Sequence, residues 1–112
     1  MEWIIEETNP DWVKLQVDFY WVMRTNKIVP KDLIDLARGR FKLWHIKDMD
    51  PITNEYTELG YGSIDYTMIL PDPNLSGLEY YYLEQGGNYA LNSMNSAKKS
   101  IDFFKKNIQK LI

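Results

Sequence analysis

The chain has 112 residues, of which 45% are apolar and 26% charged, the composition of one ordinary soluble domain rather than of a disordered or fibrous protein. It contains no cysteine, which excludes disulfide staples, thiolate nucleophiles and Cys-type zinc sites, so any metal must be held by oxygen and imidazole. The net charge of −3 disfavours a nucleic-acid backbone as partner, no apolar run approaches the roughly 18 residues of a membrane span, and the acidic start Met1–Glu7 is unlike a signal peptide; a cytoplasmic setting is expected.

Taken in chain order, Trp3-Ile4-Ile5 followed by Thr8-Asn9-Pro10 reads as the tail of a helix. Residues 13–18, 41–46 and 78–84 have the short, β-branched or aromatic character of buried strands. Between the first two, Pro30 to Ala37 has proline at a first-turn position and Gly39 just past its end, the expected helix punctuation. After the second strand comes a long polar stretch with Gly60 and Gly62. Ser63 is then the expected N-cap of a short helix through Leu70, with Pro71 and Pro73 as its stop. Ile101, Phe104, Ile108 and Leu111 recur at helical spacing among Lys99, Asp102, Lys106 and Gln109, so the last helix should pack one face on a sheet. Strands alternating with helices imply a parallel sheet, and parallel sheets are normally covered on both faces; only one layer of helices can be counted here.

Binding sites of parallel α/β proteins lie at the carboxyl ends of the strands. Asp18, His45 and Glu84 all fall there. One imidazole and two carboxylates at one rim suit a divalent ion such as Mn²⁺, Mg²⁺ or Co²⁺, with positions left open for the oxygens of a substrate. Each residue alone has an ordinary explanation: a capping aspartate, a core imidazole, a solvated glutamate at a strand exit.

Four motifs, Asp18-Phe19-Tyr20-Trp21, His45-Ile46-Lys47-Asp48, Gly60-Tyr61-Gly62-Ser63-Ile64-Asp65 and Glu84-Gln85, resemble in order and spacing those of the sugar phosphate isomerase/epimerase family of xylose-isomerase-like barrels. The resemblance extends over nearly the whole chain. It implies a partial (β/α)8 TIM barrel spanning residues 1–112 as one unit, its three parallel strands equivalent to strands six to eight. It implies Asp18, His45 and Glu84 as metal ligands, with Glu84 also catalytic in proton transfer alpha to a carbonyl through an enediolate. Trp21, Lys47, Asp48 and Arg24 are the expected substrate-contacting residues, toward a sugar or sugar phosphate. The family's remaining metal-binding and catalytic glutamate has no counterpart in the chain. A truncated enzyme with little activity alone is therefore expected, one that self-associates or is completed by a missing N-terminal half. The alternatives are a non-catalytic assembly or ligand-binding module and an endonuclease-IV-like fragment, the latter disfavoured by the single histidine and the negative charge.

Overall fold

A computed structural model describes all residues 1–112. Three strands, β1 (Leu15–Asp18), β2 (Phe41–Ile46) and β5 (Tyr80–Leu83), form one parallel sheet in the order β1-β2-β5. Two short strands, β3 (Asp48–Met49) and β4 (Tyr56–Thr57), make a separate antiparallel pair inside the stretch expected to be merely polar. The helices are α1 (Glu2–Glu7), α2 (Phe19–Thr25), α3 (Pro30–Asp35), α4 (Tyr66–Ile69), α5 (Pro73–Ser76) and α6 (Ser93–Asn107). No helix is long and apolar enough to cross a membrane.

Side chains alternate between the faces of a strand, and in-register partners point the same way. Val17, Trp44 and Tyr81 therefore make one row on the helix side, while Asp18, His45 and Tyr82 make a row on the other. The register between β1 and β2 shifts at Leu15/Gln16, where β2 advances from Phe41 to Leu43. The extra residue, Lys42, is a bulge that brings Phe41 onto the helix side, where it is fully buried. The core is built on that side from Val17, Phe19, Tyr20, Ile34, Phe41, Trp44, Ile46 and Ile108. Phe19 meets Trp44 edge-on at 5.3 Å, and the buried indole N–H of Trp44 donates to Ser76 Oγ at 2.9 Å, so its one polar group is satisfied. Truncating so large and enclosed a ring typically costs about 3–5 kcal/mol.

The other face has no helical cover. Leu43 is only half-buried, and Tyr80 and Tyr82 are 65% and 45% exposed. Both outer strands also lack a partner on one edge.

Several boundaries differ from expectation for local reasons. The short helix begins at Tyr66 rather than after Ser63, because the Ile64 N–H is drawn to Asp48 and Asp65 supplies the cap to Thr67 N at 3.0 Å. Pro73 opens α5 instead of only stopping a helix, with Asp72 as its N-cap. In the last helix Phe104 and Ile108 are buried as expected, but Ile101 and Leu111 are about two-fifths exposed. Ile101 borders a hollow beside Leu83 and Gln85, and the chain tightens into a 3₁₀ turn at Gln109–Leu111.

At the other end of the sheet the buried Arg40 guanidinium donates to the carbonyls of Ile5 and Val13 and to the Thr8 hydroxyl. This single side chain joins α1 to the strand layer across the Thr8–Trp12 turn.

Candidate functional site

Three strand ends deliver Asp18, His45 and Glu84 to one rim, and one oxygen or nitrogen from each lies within 4.8 Å of the others. Asp18 closes β1 and also begins α2: its Oδ1 accepts from Trp21 N at 3.2 Å, an N-cap bond. Its Oδ2 remains available to the rim and accepts from Lys47 Nζ at 2.8 Å. The same ammonium lies 2.9 Å from Glu84 Oε2. Glu84 Oε2 is in turn 2.8 Å from His45 Nδ1, and His45 Nε2 is 2.9 Å from Gln16 Oε1. The capping role and the rim role of Asp18 are thus compatible, one carboxylate oxygen serving each.

Electrostatics follow from these contacts. Burial opposes the charge on Glu84, but the hydrogen bonds and charges of Lys47 and His45 outweigh it and hold its pKa below the usual value. Burial likewise opposes the Lys47 charge and is outweighed by Asp18 and Glu84, so the ammonium pKa is raised. At neutral pH the rim holds a carboxylate at position 84 and an ammonium at position 47. A cleft of about 370 Å³ opens beside Lys47, Leu83, Glu84, Gln85 and Gly86. That is within the range of small-molecule sites.

The donor set of one imidazole and two carboxylates fits a hard or borderline divalent ion. Glu84 is ionised and can only accept, so the 2.8 Å contact places a proton on His45 Nδ1 as folded; to ligate an ion that nitrogen would have to give the proton up, with Gln16 facing Nε2 as the outer contact that orients the ring. As folded, however, the donor atoms facing the cluster are already engaged by side chains, chiefly Lys47.

The expected substrate residues separate. Lys47 joins the cluster. Asp48 does not: it is 2% exposed, Oδ1 accepts from the N–H groups of Met49 and Ile64, and Oδ2 accepts from those of Gly60 and Gly62. Those four bonds use the whole accepting capacity of a carboxylate, so Asp48 is corrected from substrate contact to loop anchor. Gly62 is required by that anchor, because a Cβ there would collide with the Asp48 carboxylate. Arg24 is engaged elsewhere, donating to the Tyr20 hydroxyl, pairing with Glu55 at 3.7 Å and lying 5.4 Å from the Trp21 ring centre. Trp21 is half-exposed, its ring edge-on to Tyr20 and its backbone tied to Asp18.

Three contributors escaped the reading of the sequence. Gln16 shares Asp18's strand face two residues earlier, and that parity was the available signal. The Tyr82 ring lies 5.2 Å from the His45 ring, on the same row of the sheet. Tyr66 accepts from Lys47 N at 3.0 Å and donates to Lys47 O at 2.5 Å, fixing the backbone that carries the ammonium. Its burial raises the phenol pKa well above normal, so it stays neutral. No local pattern marks Tyr66 for that contact, which depends on tertiary folding.

No protein-family model and no curated protein matches this chain.

Proposed function

We propose that the Asp18, His45 and Glu84 rim is a divalent-metal and proton-transfer site of a sugar or sugar phosphate isomerase/epimerase, and that these 112 residues supply three βα units of a (β/α)8 barrel. The observation that supports this best is the convergence of the three ligand types from three adjacent strand ends within 4.8 Å. The uncovered sheet face and its two free edges are what a barrel segment would present to the remaining strands.

A bound divalent ion supplies Lewis acidity toward a substrate carbonyl. The protein's own part is then as follows. Asp18, His45 and Glu84 would hold the ion, with Gln16 orienting the imidazole. Glu84 is ionised at neutral pH and is in the correct state to take a proton from the carbon alpha to the carbonyl. Its depressed pKa makes it a weak base while Lys47 and His45 hold it, so loosening those contacts would increase its basicity. Trp21 offers an apolar wall to a sugar ring, and Lys47 a donor to hydroxyl or phosphate oxygens. A second proton carrier on the opposite side of the substrate must come from further strands or another copy of the chain.

The test is calorimetric titration of the metal-stripped chain with Mn²⁺ beside His45→Ala and Glu84→Ala, with the solution mass of each sample recorded. Saturable binding lost in both variants, by a chain that self-associates, is the expected result. A folded wild type that binds no Mn²⁺ would remove the metal site, and a stable monomer would count against the unfinished sheet needing a partner.

A second reading is a non-catalytic assembly module, favoured by the exposed Tyr80 and Tyr82 on the uncovered face and by the internal satisfaction of the rim. It would give a stable oligomer without isomerase turnover.

A further inference from the structure

We infer that Lys47 is the resident cation of the rim, and that its ammonium and a divalent ion compete for the same two oxygens, Asp18 Oδ2 and Glu84 Oε2. This rests on the metal-site reading above.

The geometry is that of a bridge. Lys47 Nζ lies 2.8 Å from one carboxylate and 2.9 Å from the other, so it occupies the position between them that a shared ion needs. Two cations in that space would repel at a separation of a few ångströms, where partial burial weakens screening. One must leave. Each carboxylate also has a tie other than Lys47: Asp18 its cap bond from Trp21 N, and Glu84 the bond from its own N–H to Ile46 O at 3.0 Å, joined by His45 Nδ1 until the imidazole itself turns to the ion. Withdrawal of the lysine therefore leaves the two oxygens in place for another cation.

Lys47 also has somewhere to go. It carries a flexible four-carbon stem, the cleft beside it opens to solvent, and the Tyr56 ring centre lies 5.8 Å from Nζ, a favourable surface for a displaced ammonium. Asp48, one residue on, shows the contrasting case. Its four partners are backbone N–H groups that cannot swing away.

The experiment compares Mn²⁺ binding to wild type, Lys47→Met and Lys47→Gln, following free Mn²⁺ by electron paramagnetic resonance and recording melting temperatures with and without the ion. Both variants should bind at least about tenfold more tightly than wild type, melt lower without metal, and gain more from added Mn²⁺. Adding Asp18→Asn to either should abolish the gain. Lys47→Gln retains a donor toward one carboxylate and decides the result if Lys47→Met does not fold. If wild type binds as tightly as the variants, the metal site stands and the competition is wrong. If the variants bind more weakly than wild type, Lys47 assists the ion and the proposal is overturned. If none binds at millimolar Mn²⁺, both the competition and the metal site fall.

Discussion

Asp48 and Asp18 each anchor several donors, yet one sits in a fixed hub and the other in an exchangeable one. Around Asp48 every donor is a backbone N–H, one from the neighbouring Met49 and three from the loop that runs through Gly60 and Gly62, and the carboxylate is buried. Around Asp18 and Glu84 the principal donor is the ammonium of Lys47, joined by the imidazole of His45, and the groups are partly exposed. Backbone donors make a carboxylate part of the fold. Side-chain donors leave it able to change partners, which is the property a binding site requires.

The contrast is open to direct test, beginning with the fixed hub. Asp48→Ala orphans four N–H groups at once and should lower unfolding stability by more than ~3 kcal/mol, read from the urea midpoint. A loss below 1 kcal/mol would mean that the loop finds other acceptors and that the hub is not fixed.

Glu58 is the second buried carboxylate, accepting from Ser96 Oγ at 2.5 Å and Ala90 N at 3.0 Å, and it clasps the same loop to α6. Glu58→Ala should cost roughly 2–3 kcal/mol. Burial opposes its charge, but the Ser96 and Ala90 hydrogen bonds help to outweigh this and lower its pKa from 4.5. The charged form is therefore favoured by folding: its contribution is complete above the unfolded value and is lost as pH falls through the folded one. The stability gap between wild type and Glu58→Gln should narrow between pH 6 and pH 3. A gap that stays constant would show that the charge is not what the clasp uses.

In the exchangeable hub the effects on stability are smaller. Without metal, Lys47→Met should lose about 1 kcal/mol, and the loss should shrink in high salt, as expected for a partly exposed ion-pair network. Smallest of all, Gln16→Leu should alter stability by less than ~0.5 kcal/mol. It should nevertheless weaken Mn²⁺ binding by about tenfold, because the imidazole loses its orienting partner. Equal affinity in calorimetry would remove Gln16 from the site.

The difference between the hubs was partly legible in the sequence. Strand alternation places His45 and Lys47 on one face and Asp48 on the other, so parity along the chain separates the rim lysine from the loop aspartate although the residues are adjacent. The three strands were visible from their apolar and aromatic runs, and the rim residues from their position at strand ends. The β3–β4 pair was not, because two residues per strand carry no periodicity and the pairing depends on how the intervening turn closes. Nor were the Lys42 bulge and the Tyr66 contact with Lys47, since each depends on register or on contacts between distant segments. The start of α4 was misplaced for the same reason: Ser63 has the chemistry of a cap, but the pull of Asp48 on Ile64 decides where the helix can begin.

Arg40 holds groups on both sides of the Thr8–Trp12 turn, the carbonyl of Ile5 and hydroxyl of Thr8 before it and the carbonyl of Val13 after it. It thus acts as a splint across a segment of backbone. A protease that nicks the chain at Pro10 or Asp11 should leave the N-terminal peptide attached under native conditions, and the cut would become visible only when the fragments are separated in denaturant.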